Sequence, residues 1–332
     1  MVTSSAPGKV YLFGEHAVVY GEPAVPCAIG LRAQAAVERR TGGLRVRAGD
    51  LSLDGFAVEY NGGTSTPEVD VPENLLDAAM GYVNGAIDQA REAARTRGVA
   101  AEERSFEVTV DSNIPLGAGL GSSAAVVVAT IDAAARELGV QLPREELADR
   151  AYRVEHTVQD GGASRADTFC ATMGGAVRIE GDDCETLATP DLPLVVGYDG
   201  GAGDTGELVA QVRGLRETHP FVADTVSAVG DLVRRGERAL AADDRETLGE
   251  LMDINHGLLS SLGVSARSLD AMVWAARDGG AHGAKLTGAG GGGCIVALGD
   301  PAELERALSY APACDDAFHA QLDTDGLRRE DE

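Results

Sequence analysis

The chain has 332 residues, 53 of them acidic and 28 basic, and its formal net charge is −25. This length is sufficient for two domains, or for one large domain with an ample core. The negative charge argues against nucleic acids and anionic membranes as partners, because like charges repel. The five cysteines form no Cys-x-x-Cys pair, which argues against a zinc site and favours thiols in a reducing compartment. No signal segment or run of 18 apolar residues is found, so we expect a cytoplasmic protein.

The charged residues are unusual in kind as well as in number. Aromatic residues make up only 4% of the chain, and among the basic residues only Lys9 and Lys285 are lysines. An acidic excess with few aromatic residues predicts a protein from a salt-loving archaeon, in which molar salt screens the self-repulsion. The preference for arginine has a second explanation, a GC-rich genome.

Hydrophobic periodicity predicts mixed α and β structure along the chain. Strands are predicted at 9–13, 33–37, 44–46, within 51–59, and at 106–110, 175–179, 194–198, 281–287 and 293–298. Helices are predicted at 74–96, from 122 to about 138, at 143–158 and over most of 206–278. The polar residues 323–332 are expected to fray. A loop-rich stretch at 181–193 predicts a division into two domains, 1–185 and 186–332.

The most informative segment is residues 114–125, IPLGAGLGSSAA, which we call the phosphate loop. Glycine permits positive φ and close approach of an anion, and the N–H groups at the start of the following helix favour phosphate. The loop lacks the lysine of a Walker motif, and Ser122 replaces the third glycine of a dinucleotide fingerprint. A tight turn without a ligand is the alternative interpretation. The residues expected to bind the nucleotide are Pro115, Leu116, Gly117, Ala118, Gly119, Leu120, Gly121, Ser122, Ser123 and Ala124.

The phosphate loop resembles that of the GHMP kinases, which include galactokinases and homoserine, mevalonate and phosphomevalonate kinases. Two further segments resemble the outer motifs of this superfamily in the right order: residues 6–25, the first motif, and 285–294, the third motif. Residues 14–25, GEHAVVYGEPAV, are similar to the mevalonate kinase version. Galactokinases carry Gly-Glu-His-Thr-Asp-Tyr at this point, and homoserine kinases lack the Glu-His pair. The chain is therefore identified as a member of the superfamily.

This resemblance implies an α+β, two-domain GHMP-kinase fold. A ribosomal-S5-like domain would span 1–185, a ferredoxin-like domain would span 186–332, and the active site would lie between them. It implies ATP and Mg²⁺ as cofactors and phosphorylation of the C5 hydroxyl of (R)-mevalonate to 5-phosphomevalonate in isoprenoid biosynthesis. The alternatives are another small-molecule kinase of the superfamily, for phosphomevalonate or a sugar, and a ligand-binding regulator derived from a kinase. The expected partners are mevalonate and ATP, and a homodimer is left open.

The resemblance also assigns catalytic and metal-binding residues. Residues 161–167, GGASRAD, are similar to the mevalonate kinase loop that carries the catalytic aspartate, here Asp167. Lys9 would lower the pKa of the acceptor hydroxyl, and Glu155 and Ser123 would bind Mg²⁺. Residues 164–167 depart from the common Ser-Gly-Ile-Asp or Ser-Pro-Thr-Asp. Glu155 also lies one residue further from the aspartate than is usual, which leaves Asp160 as an alternative ligand.

The substrate-binding residues implied by the resemblance are Glu15, His16, Thr205 and Gly290. Glu15 and His16 would meet the carboxylate end of the acceptor, with a structural role as the alternative for His16. Thr205 also lies where a helix cap is expected. Residues 288–293 fit Gly-x-Gly-x-x-Gly, but a strand pattern follows them, whereas a dinucleotide loop must open a helix. This glycine loop is predicted to pack against the substrate or the phosphate loop.

Overall fold

The computed structural model describes residues 1–48, 56–60, 73–101, 105–201, 203 and 205–330. In these ranges the strands are β1 (Val2–Phe13), β2 (Val25–Arg40), β3 (Leu44–Ala48), β4 (Phe56–Tyr60), β5 (Ser105–Ser112), β6 (Ala176–Glu180), β7 (Asp183–Leu187), β8 (Leu194–Tyr198), β9 (Gly283–Leu286), β10 (Cys294–Leu298), β11 (Asp316–His319) and β12 (Arg328–Arg329). The helices are α1 (Glu73–Thr96), α2 (Ser122–Glu137), α3 (Arg144–Val158), α4 (Ala166–Met173), α5 (Thr205–Thr218), α6 (Pro220–Ala241), α7 (Arg245–Ser261), α8 (Arg267–Asp278) and α9 (Pro301–Ser309). A 3₁₀ turn spans Ala17–Tyr20.

The first sheet has the strand order β12-β1-β2-β5-β3-β4, and β6 pairs with both β2 and β7. All its pairs are antiparallel except β3 with β5. Helices α2 and α4 pack on β1 and β2, while α1 and α3 pack on α2. Helix α2 is therefore enclosed, and most of its own residues are buried. Many of these residues are alanine and valine, whose small side chains allow neighbouring elements to pack closely.

The second sheet is antiparallel, with the order β11-β8-β10-β9. Helices α7, α8 and α9 pack on it and bury a core that includes Val195, Val273, Leu286, Ile295 and Leu304. Helix α6 crosses to the first sheet, where the ring of Phe13 lies so close to Gly236 that no side chain fits there. Two sheets with separate helical layers confirm the predicted α+β class. The domain limits 1–185 and 186–332 remain a prediction.

The C-terminal segment differs from its prediction. Residues 323–330 do not fray, because β12 pairs with β1 and Asp323 is buried. Arg329 forms an ion pair with the fully buried Asp132, with 3.2 Å between Nη2 and Oδ1. Arg144 donates hydrogen bonds to the carbonyls of Asp325 and Leu327. The prediction of fraying was wrong because ion pairs and main-chain hydrogen bonds hold this polar segment, and Leu327 is buried in the main hydrophobic core.

Several elements were absent from the sequence-based prediction, namely α4, β7, α9, β11 and β12. The predicted strand at 9–13 is longer and begins at Val2. Of the strand predicted within 51–59, only the part from Phe56 lies in the described residues. No helix in the described ranges is both long and apolar enough to cross a membrane.

Candidate active site

The phosphate loop joins β5 to α2, and it needs its glycines. Gly117, Gly119 and Gly121 all have positive φ, between 69° and 79°. A Cβ atom on Gly121 would lie 3.0 Å from Cγ of Lys9, and one on Gly119 would lie 3.1 Å from the carbonyl oxygen of Thr287. The loop is therefore in contact with the first motif on one side and the third motif on the other. Of the two partners predicted for the glycine loop at 288–293, the substrate and the phosphate loop, the structure shows contact with the phosphate loop, because Gly288 lies against Gly119 and Gly293 against Ala118.

Lys9 is placed at the centre of the site by β1. Its backbone N–H donates to the carbonyl of Leu120 (2.8 Å), and its Nζ donates to the carbonyl of Gly119 (2.9 Å). The same Nζ lies 3.4 Å from Oδ2 of Asp167, and the Lys9 side chain is only 3% exposed. Lys9 and Asp167, which are predicted from separate motifs, are therefore brought together.

Asp167 lies in the first turn of α4, where the helix dipole stabilises a negative charge. Its side chain is 30% exposed, so it can be reached from the cavity. Its second oxygen, Oδ1, accepts a hydrogen bond from the hydroxyl of Tyr11 (2.9 Å). Tyr11 was missed by sequence reasoning, because in a strand its aromatic ring is equally typical of a core residue.

Glu155 is buried near the end of α3, close to the start of α2. Burial, reinforced by the charge of Asp167, raises the pKa of Glu155 to about 8. One of its oxygens accepts from Nε2 of Gln159 (2.6 Å), and the nearby hydroxyl of Ser123 partly opposes the rise in pKa. The other oxygen, Oε1, and the Ser122 hydroxyl are buried without a hydrogen-bond partner among the described residues.

Carboxylate and hydroxyl oxygens that lack hydrogen-bond partners fit a hard cation such as Mg²⁺. Its positive charge would offset the negative charge of a Glu155 carboxylate. In the described ranges no group of three or more histidine, cysteine, aspartate or glutamate side chains could hold a metal. A cation here would therefore depend on serine hydroxyls and on the phosphates of a nucleotide. Asp160, the alternative ligand, is exposed and does not line the cavity.

Glu15 and Lys285 form an ion pair that is almost completely buried, with side-chain exposures of 1% and 0%. Lys285 also donates to the carbonyls of Leu286 (2.6 Å) and Tyr11 (3.3 Å). Burial raises the pKa of Glu15 and lowers that of Lys285, and their mutual attraction opposes both shifts. Oε2 of Glu15 has no partner among the described residues. Both lysines of the chain therefore form ion pairs at this site, Lys9 with Asp167 and Lys285 with Glu15.

His16 follows with a positive φ of 61°. Its Nε2 lies 2.8 Å from the carbonyl oxygen of Ala289, so we assign Nε2 as the protonated nitrogen. Burial lowers the pKa of His16, which favours the neutral imidazole. This contact joins the first motif to the third.

One cavity of about 440 Å³ connects these groups. Of the predicted residues outside the phosphate loop, it is lined by Lys9, Glu15, His16, Glu155, Asp167 and Thr205. Within the phosphate loop all the predicted residues line it except Ala118 and Ala124. Gly290 does not line it either, because it packs against the backbone of Val264 and Gly203, and Gly288 and Ala289 take its place at the surface.

Comparisons with known proteins identify the family of the chain. A model of the GHMP kinases N terminal domain matches residues 81–175, and a model of the GHMP kinases C terminal domain matches 237–315. The mevalonate kinase of Thermococcus gammatolerans is 42% identical, and the alignment covers 99% of this chain and 98% of that protein. The mevalonate kinase of Pyrococcus horikoshii is 41% identical over the same shares.

The chain belongs to the GHMP kinases, and within them to the mevalonate kinases. The crystal structure of the Methanococcus jannaschii mevalonate kinase matches this kinase with a TM-score of 0.77 and 26% identity, covering 97% of this chain and 98% of that one. The galactokinase of Lactococcus lactis, solved with galactose, has a TM-score of 0.75 at 19% identity and covers 99% and 95%. The two-domain GHMP-kinase fold is thus confirmed. Because a sugar kinase shares it, the fold alone does not decide the acceptor.

Proposed function

We propose that this kinase transfers the γ-phosphoryl group of ATP to the C5 hydroxyl of (R)-mevalonate and produces 5-phosphomevalonate for isoprenoid biosynthesis. Identity of about 40% with mevalonate kinases, over 99% of the chain, supports the acceptor. The observation that carries the chemistry is the 3.4 Å contact between Lys9 and Asp167 beside the phosphate loop. At this point a carboxylate can orient or deprotonate an alcohol that attacks a bound phosphate, and a cation can stabilise the negative charge that develops.

In this proposal Asp167 orients or deprotonates the acceptor hydroxyl, because its carboxylate is accessible and oriented by two partners. Lys9 lowers the pKa of that hydroxyl and offsets the negative charge on the transferring phosphoryl group. The low exposure of Lys9 strengthens both effects, since little water screens its charge.

The nucleotide would lie with its phosphates on the phosphate loop, where the N–H groups that begin α2 are available. The apolar side chains of Val46, Met80, Val83 and Val110 line the same cavity and suit a nucleobase. Glu155 and Ser123 would hold Mg²⁺, with the buried hydroxyl of Ser122 as the nearest alternative to Ser123. When bound, the cation would neutralise phosphate charge.

The acceptor would meet the first motif and the start of α5. Glu15 keeps one carboxylate oxygen without a partner, and His16 and Thr205 line the cavity. We assign these three residues to the acceptor and assign the buried Gly290 to loop packing instead. The free cysteines of the described chain, three of which are buried, support a cytoplasmic location.

The test is an ADP-release assay with mevalonate, phosphomevalonate, galactose and homoserine offered in parallel at high KCl. We expect mevalonate to give the highest kcat/KM by at least about tenfold. A site built for one acceptor rejects another because the wrong acceptor leaves polar groups of the site without hydrogen-bond partners. A higher kcat/KM with galactose or phosphomevalonate would replace the proposed acceptor. No turnover of any acceptor would favour a ligand-binding regulator.

We further propose that the enzyme requires molar salt. Its net charge of −25 creates self-repulsion, and the Debye length falls from about 10 Å at 0.1 M salt to about 3 Å at 1 M. The melting temperature in about 2 M KCl should therefore exceed that in about 0.1 M KCl by more than about 5 °C. Mg²⁺ must be held constant, because it also pairs with carboxylates. Agreement of the two values within a few degrees contradicts the proposal.

A further inference from the structure

Tyr11 contacts both members of the Lys9–Asp167 pair. Its hydroxyl donates to Oδ1 of Asp167 (2.9 Å), and Nζ of Lys9 lies 4.3 Å from the centre of its ring. Lys9 and Tyr11 are two residues apart on β1, so both side chains lie on one face of the strand and line the cavity. Val10 and Leu12, on the other face, belong to the main hydrophobic core.

These contacts determine how the carboxylate of Asp167 is held. Lys9 contacts Oδ2 and Tyr11 contacts Oδ1, so each oxygen has a partner from β1. Burial and the neighbouring charge of Asp167 raise the pKa of Tyr11 well above its ordinary value. The phenol therefore stays protonated and remains a hydrogen-bond donor. The ring face adds a cation–π contact that restrains the ammonium of Lys9.

The backbone of Tyr11 is itself fixed by the third motif. Its N–H donates to Oγ1 of Thr287 (2.7 Å), and its carbonyl accepts from Nζ of Lys285 (3.3 Å). Both main-chain groups are thus held by residues more than 270 positions away along the chain. The ring and hydroxyl stand on a rigid support, which is what a group that orients a catalytic side chain requires.

We propose that Tyr11 is a positioning residue for phosphoryl transfer, which holds Asp167 through its hydroxyl and Lys9 through its ring. This inference rests on the proposed function, because it assigns Tyr11 a role through that pair. A tyrosine that only fills space would contribute to folding but not to the orientation of the carboxylate.

The test is Tyr11→Phe, which removes one oxygen atom and keeps the ring over Lys9. We expect kcat to fall by about 10- to 100-fold, as for the loss of a hydrogen bond to a charged group. The KM values for ATP and mevalonate should stay within about twofold. Tyr20→Phe is the matched control: the Tyr20 hydroxyl has no hydrogen-bond partner in the described part of the chain, and kcat should be unchanged.

A double-mutant cycle with Asp167→Asn separates positioning from folding. The rates are measured in single turnovers with enzyme in excess. The double variant Tyr11→Phe/Asp167→Asn should differ from Asp167→Asn alone by less than about twofold, because the carboxylate that Tyr11 orients is already absent. An equal loss in both backgrounds would overturn the inference. So would a kcat for Tyr11→Phe within twofold of wild type, or a rise in KM alone. If the wild type prefers another acceptor, the proposed acceptor fails, and the same ratios measured with that acceptor still decide the role of Tyr11.

Discussion

Asp167→Asn should reduce kcat by about 100- to 10,000-fold while leaving the KM for ATP nearly unchanged. The amide has the size of the carboxylate, but it cannot accept a proton or carry the charge that faces Lys9 at 3.4 Å. The phosphate loop is intact in this variant, so nucleotide binding should be retained. Steady-state kinetics with both substrates varied will measure the two effects separately.

Asp160→Asn is the control for this prediction. Asp160 is exposed, lies outside the cavity and has φ of 47°, a conformation that asparagine also tolerates. We expect wild-type kinetics from it, which would also exclude Asp160 as the metal ligand. Retention of more than about a tenth of the wild-type kcat by Asp167→Asn would contradict the catalytic assignment.

Lys285→Met should lower the free energy of unfolding by about 3–5 kcal/mol, the usual cost of breaking a buried ion pair. The substitution keeps most of the side-chain volume but leaves the carboxylate of Glu15 buried without its cation. Two backbone carbonyls, those of Tyr11 and Leu286, lose their donor as well. Urea unfolding followed by circular dichroism measures the change.

Two further variants test the cause of this loss. Lys285→Met combined with Glu15→Gln should be more stable than Lys285→Met alone, because no unpaired charge remains in the core. Lys285→Arg should not restore wild-type stability, since the wide, planar guanidinium has no room at a fully buried position. An unfolding free energy for Lys285→Met within about 1 kcal/mol of wild type would show that the pair is not essential.

In the described part of the site, the features that could be predicted from sequence are those encoded within one short, continuous segment. The phosphate loop is one continuous segment between a strand and a helix, and its glycine spacing reflects the backbone that the segment adopts. Lys9 and Asp167 were predicted because each lies in a recognisable motif, and the structure brings them together. Their catalytic roles remain predictions until the variants are measured.

Other features could not be predicted, because they depend on contacts between distant segments. Nothing near Tyr11 in the chain indicates that its hydroxyl reaches Asp167, 156 residues later. Lys285 was noted for its rarity and as the first residue of the third motif, but no role was assigned to it. Its pairing with Glu15 follows from the packing of the third motif against β1. Gly290 was assigned to the substrate from its motif, yet backbone packing places Ala289 at the cavity instead.

The amino-acid sequence by itself determined the family, the phosphate loop and the order of most elements, since glycine positions and apolar periodicity act over a few residues. Only the tertiary structure decided how the charges are paired. It placed Asp323 and Arg329 of a polar terminus against the first sheet and buried Lys285 beside Glu15. Ion pairs of this kind form between segments hundreds of residues apart, because strand pairing and helix packing, rather than local propensity, set the distance between their charges.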